Sequence, residues 1–272
     1  MEVTVRIVES HTLVPQLPPA LITLLGPAPD YTGGGDRTRF DGEDCAGAGE
    51  PGLYMPVIGT IGTPAEGDAE AGMCAGKKCE TIDYVSGPYD ELDTIADLTD
   101  PINEPLVAAP IDPVWTNCVK LKEMIEGIRQ RATFVCSGGG CSLPATTSSS
   151  ITFYDGDLTL QETETGQGLL VVTGKFDTLG YNAWRGMILV VGEGWAEPGN
   201  EDNSYSGGMV VADIAGPDEM YGTSDDCTGG DGGFDSIHTD TVYEDNLWEY
   251  CTNDMLDANP RLPYTLTSFR QQ

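Results

Sequence analysis

Two apolar blocks bracketed by glycine constrain this chain more than any other feature. Gly168-Leu169-Leu170-Val171-Val172-Thr173-Gly174 is followed, about 18 residues on, by Gly186-Met187-Ile188-Leu189-Val190-Val191-Gly192, and that interval is typical of solenoid repeats. A run of β-formers ending in glycine reads as a strand buried on most sides, followed by a sharp bend. Two copies at one interval predict a mainly β fold, a parallel β-solenoid that climbs one rung per repeat. Gly168, Gly174, Gly186 and Gly192 are then shape determinants, with Gly192 expected at a positive-φ corner. Such a rod reads as a structural or binding protein before it reads as an enzyme.

The rest of the chain extends the pattern. Residues 1–9 alternate like an opening strand, and Ala20 to Gly26 form another apolar run ending in glycine. The centres Ile22, Phe40 and Val57 keep nearly the same interval, so the solenoid is expected to begin early. Further strand candidates cover 37–42, 55–60, 80–85, 151–160, 208–214 and 234–242, and the tail 263–270 alternates again. Residues 88–135 break the pattern as a helical insertion. Leu92, Ile95 and Leu98 fall at helical intervals; from Val114 to Thr133, the residues Val114, Cys118, Leu121, Ile125 and Ile128 fall near one helix face. The predicted whole is one domain, residues 1–272, with one flanking helix.

Charge narrows the partners. Thirteen Lys and Arg face 44 Asp and Glu, for a net charge of −31. Such a field repels phosphates, so no nucleic acid is expected as a partner. Lys175, Arg185, Arg261 and Arg270 lie far apart in sequence, which argues against a basic patch.

The cysteines number eight, an even count, and several lie in Gly- and Asp-rich segments, which suggests disulfides and an oxidising compartment. Spacing does not fix connectivity. The expected pairs are Cys136–Cys141 and Cys74–Cys79, which close short loops, then Cys227–Cys251 and, by elimination, Cys45–Cys118. Neither short spacer suits zinc, and His11 and His238 are near no cysteine pair. No signal peptide or membrane span is read, so an N-terminal export or anchoring segment is expected to be missing from the chain.

Sites of chemistry are harder to find. Asp155 with Asp157, and the group Asp225, Asp226, Asp231 and Asp235, offer hard oxygen ligands that could hold Ca²⁺. Neither matches a calcium-loop pattern, and an Asp/Gly-rich turn without an ion is the simpler reading; no other cofactor is expected. Trp184, Trp195, Trp248, Tyr181 and Tyr205 could stack on sugar rings, or simply fill loops and edges. No nucleophile elbow, phosphate loop or dinucleotide fingerprint occurs. No catalytic residue is named.

Several blocks resemble a known family. Asp155-Gly156-Asp157-Leu158-Thr159-Leu160, then Gly166 to Gly174, then Asn182 to Gly194, look like the signature of PilX-type pilus-assembly proteins. Leu17 to Leu21, Tyr31 to Gly34, Phe40 to Asp44 and Tyr264 to Arg270 fit it too. The resemblance implies a minor-pilin-like head of a type IV pilus or related envelope filament, non-enzymatic and adhesive. It implies other pilins or pilus-tip proteins as partners and a place at the cell surface, with membrane contact only through a missing N-terminal helix. The family supplies no catalytic residues. The alternative is a secreted β-helix protein that binds or cleaves polysaccharide, with Ca²⁺ as its candidate ion; a row of aromatic and acidic side chains along one face of adjacent rungs would favour it.

Overall fold

The computed structural model describes residues 3–7, 12–26, 29–33, 39–45, 55–61, 95–100, 110–138, 140–200, 203–229, 233–234, 238–241, 246–259 and 266–271. The fold is mainly β. The first half carries β1 (Val3–Ile7), β2 (Ile22–Leu25), β3 (Asp30–Gly33), β4 (Arg39–Asp41), β5 (Ile58–Thr60) and β6 (Ile95–Asp97). Helices α1 (Pro113–Thr116) and α2 (Cys118–Arg129) follow, then β7 (Phe134–Ser137), β8 (Ile151–Asp155), β9 (Leu158–Leu160), β10 (Thr165–Val172) and β11 (Phe176–Leu179). The remainder is β12 (Ala183–Gly192), β13 (Trp195–Asn200), β14 (Ser204–Asp213), β15 (His238–Thr241), β16 (Leu247–Tyr250), α3 (Thr252–Ala258) and β17 (Leu266–Gln271).

Two parallel sheets carry the architecture. One has ten strands, ordered β6-β5-β2-β14-β12-β10-β8-β7 with β16 and β4 beside β14; the other has five, ordered β3-β15-β13-β11-β9. Three consecutive turns, β8 to β9, β10 to β11 and β12 to β13, each lay one strand in each sheet. Residues 168–172 and 186–192 are buried throughout, because the ten-stranded sheet is covered on both faces there. Continuous apolar runs are what such strands require. Leu170, Ile188, Met209, Ile22, Ile58 and Ile95 stand in one register column across six strands. Each fully buried side chain of this kind contributes about 1.5–3 kcal/mol.

Side-chain ladders run along the same stack. Trp184, Tyr205, Trp248 and Phe40 are in register and buried. The Tyr205 and Trp248 rings stack with centroids 4.0 Å apart. Asn182, Asn203 and Asn246 each stand one residue before a strand; the Asn182 amide donates to Asn203 Oδ1 (2.9 Å), and the Asn203 amide to Asn246 Oδ1 (3.0 Å). Gly168, Gly186 and Gly207 align in a third column, with φ of +103°, +125° and +138°. A side chain at any of them would be strained by the backbone and would meet the carbonyl of the turn below.

The climb expected from the N-terminus is corrected by the strand order. The chain enters in mid-sheet at β2, pairs outward to β5 and β6, passes through the helical segment, and restarts at the opposite edge with β7. It then rises through β8, β10 and β12 to β14, which closes against β2. Ile22 and Phe40 are therefore not successive rungs: Ile22 pairs with Ile58, and Phe40 pairs with Trp248. Strand β14 is long enough to hold both β16 and β2 along one edge. Ile95, expected on a helix, lies in β6 and pairs with Ile58; over so short a segment the apolar spacing does not separate a strand from a helix. Leu92 and the candidate strand 80–85 fall outside the described residues.

The expected helix is present as α1 and α2. Asp112 caps α1 by accepting from the Val114 amide, with Pro113 in the first turn, and Asn117 caps α2 by accepting from the Lys120 amide. Cys118, Leu121, Met124, Ile125 and Ile128 are buried on one face of α2. Helix α3 packs against β10, β12 and β14, with Met255 and Ala258 buried. Strands β1 and β17 pair antiparallel, so the two described ends of the chain meet.

Among the described residues three disulfides staple the fold. Cys136–Cys141 forms as expected. Cys45 bonds Cys251 rather than Cys118, and Cys227 bonds Cys118 rather than Cys251. The pairing of β4 with β16 is the reason for the first, because each cysteine follows its strand and their Cα atoms stand 4.8 Å apart. Cys118, the first residue of α2, is buried against the turn that carries Cys227. Cys74 and Cys79 lie outside the described residues. Three disulfides suit an oxidising, extracellular-type environment. Among the described residues no helix is long and apolar enough to cross a membrane.

Candidate functional site: the outer face of the five-stranded sheet

Alternation along β9, β11 and β13 sorts their side chains. Leu158, Leu160, Phe176, Thr178 and Ala196 are buried. Thr159, Asp177 and Glu197 take the opposite face and stand in register across the three strands. Lys175 and Trp195 precede the paired residues Phe176 and Ala196, so they are neighbours on that same face. The Lys175 ammonium lies 4.4 Å from the centroid of the Trp195 ring, a cation–π contact. Leu179, at the end of β11, and Tyr181, just beyond it, are exposed.

Asp177 and Glu193 are perturbed. Partial burial raises the Asp177 carboxyl above the usual range; its bond from the Thr178 amide opposes this, and the Glu197 charge adds to it. Glu193, at the turn between β12 and β13, is raised by burial, then by Asp157; Lys175 opposes and Glu219 reinforces the shift. The face thus offers an aromatic ring, flanking carboxylates and one ammonium on rigid strands. Chemically it suits a polyhydroxylated ligand that stacks on the ring and donates hydrogen bonds to the carboxylates.

The aromatic residues named from sequence separate into two groups. Trp195 belongs to this face and Tyr181 lies exposed near it, whereas Trp184, Tyr205 and Trp248 belong to the ladder and are buried. Asp177 and Glu197 were not singled out, although each sits two residues after Lys175 or Trp195; that alternation was the available signal.

The calcium candidates are held by the protein's own groups. Asp155 Oδ2 pairs with Arg129 at 2.5 Å, and Asp157 Oδ1 accepts from the Lys175 amide at 2.9 Å. Asp226 accepts from the Gly222 and Thr223 amides and pairs with Lys122 at 2.7 Å, so a lysine stands where a cation was expected. Asp225 accepts from the Thr223 hydroxyl. Asp231 and Asp235 lie outside the described residues. Among the described residues no group of three or more His, Cys, Asp or Glu is placed to hold a metal.

The glycines named from sequence all sit at close approaches, but for two different reasons. Gly168 and Gly186 have left-handed backbone. Gly174 and Gly192 do not; there a side chain would overlap Asp157 and the Gly156 backbone, or the Thr173 carbonyl. His11 lies outside the described residues, and His238 opens β15 beside Trp195 in register.

Comparison of the chain with protein-family models, with curated proteins and with solved structures finds no match.

Proposed function

We propose that the protein is a non-enzymatic structural or adhesive module displayed outside the cytosol. One observation carries this reading: a parallel stack lined by aromatic and asparagine ladders, and tied by disulfides spanning 206 and 109 residues, is built to hold its shape. Covalent ties of that span suit a domain that must persist outside the cell. The high net negative charge favours solubility at a surface and disfavours nucleic acid. In its narrower form the module is the exposed head of a minor-pilin-like component of a type IV pilus or related filament, with other pilins or tip proteins as partners. That narrower form rests on the resemblance of the glycine-bracketed blocks. Mass spectrometry of sheared, purified surface filaments tests it: the protein in the filament fraction supports the pilus reading, and its presence only in the medium overturns it.

A second reading is favoured by the row Lys175, Trp195, Asp177 and Glu197, which aligns aromatic and acidic side chains on adjacent strands. It makes the outer face of the five-stranded sheet a polysaccharide-binding surface. Because of the overall charge, neutral or amino-bearing glycans fit it better than anionic ones. Titration of the purified protein against panels of neutral, amino and uronic-acid oligosaccharides tests this; retention of none of them removes it.

A further inference from the structure

Helix α2 and the turn 221–227 are tied at three successive helical turns. Cys118 is disulfide-bonded to Cys227, Lys122 Nζ lies 2.7 Å from Asp226 Oδ2, and Tyr221 donates its hydroxyl to Glu126 at 2.8 Å. Residues 118, 122 and 126 share one face of the helix. The outer two ties leave the middle pair little freedom.

We propose that Lys122 and Asp226 condense to a side-chain amide, a covalent cross-link between α2 and this turn. The Asp226 side chain has no solvent exposure, and that of Lys122 keeps 30%. Two backbone N–H groups, of Gly222 and Thr223, donate to the two Asp226 oxygens, where they would stabilise negative charge developing on the carboxyl during attack. Tyr221, in the same turn as Asp226, donates its hydroxyl to Glu126, one helical turn from Lys122, so a second carboxylate stands on the helix face that carries the amine. Holding amine and carboxyl in contact raises their effective molarity and so lowers the entropic part of the barrier to condensation.

The step balances without a co-reactant. The Nζ–Cγ bond forms and the Cγ–Oδ2 bond breaks. Two of the three ammonium protons leave with Oδ2 as water, and the third stays on the amide nitrogen. Nothing is oxidised or reduced. Glu126, one turn on from Lys122, is the proton carrier for this transfer.

The experiment is intact mass and peptide mapping of the full chain, denatured and reduced. The expected result is a mass one water below that of the sequence, and a branched peptide joining the Lys122 segment to the Asp226 segment. Lys122→Arg, which keeps the ion pair but cannot form this amide, restores the full mass; Glu126→Gln leaves most of the chain uncondensed. If either variant fails to fold, the wild-type mass decides alone. A wild-type chain of full mass, with linear peptides containing free Lys122 and Asp226, makes the contact an ordinary ion pair and overturns the proposal.

Discussion

Gly192 lies directly over the carbonyl of Thr173, so close that a Cβ at position 192 would overlap the oxygen. The backbone of Gly192 is not left-handed, so steric contact between adjacent turns makes glycine necessary there. Gly192→Val should cost about 3 kcal/mol or more, or prevent folding, because backbone cannot move aside without breaking the ladder. Thermal melting checks it, and an unchanged midpoint would remove the claim.

Gly127 offers the opposite case. It lies inside α2, and a Cβ there would meet only the Arg131 guanidinium, at 3.9 Å. Gly127→Ala should raise stability by roughly 0.5–1 kcal/mol through helix propensity and reduced unfolded-state entropy. Denaturant unfolding reads this directly.

The disulfides differ in leverage. Cys45–Cys251 closes a separation of 206 residues and Cys136–Cys141 one of 5. Replacing the long-range pair by alanines should cost about 4–5 kcal/mol on the chain-entropy account, and replacing the short-range pair far less. Equal losses in melting temperature would contradict that ordering.

Trp195 and Trp248 should respond differently to alanine. Trp248 is fully buried between Tyr205 and Phe40, so its removal should cost about 3–5 kcal/mol. Trp195 lies on the outer sheet face, so Trp195→Ala should leave the melt nearly unchanged and abolish oligosaccharide binding, if that binding is found. Calorimetry on the two variants separates the roles.

Alkali should weaken the fold above about pH 10. Burial pushes Tyr154 up to about 12, helped by Glu164, and also raises Tyr205, Tyr221 and Tyr250. These groups hold their protons in the folded state more tightly than in the unfolded chain. Their contribution is therefore fully present below about pH 10, the unfolded value, and is lost as pH rises through the folded values. A stability profile by urea unfolding should fall between pH 10 and pH 12, while ultraviolet titration shows a late-ionising tyrosine class.

The strands at Leu169–Val172 and Met187–Val191, the helix around Leu121 and Ile125, and the Cys136–Cys141 loop were legible in the sequence because each depends on neighbours within one element or one turn. Apolar runs between glycines, apolar spacing on a helix and two cysteines around Ser-Gly-Gly-Gly need no distant partner to be read. The tertiary structure alone decided that β14 sits between β12 and β2, that Cys45 meets Cys251, and that Asp177 and Glu197 share a face with Trp195. Parallel pairing joins strands far apart in the chain through packing and register, and many apolar runs here are interchangeable as neighbours. Which run lies beside which is therefore set by how the whole core closes.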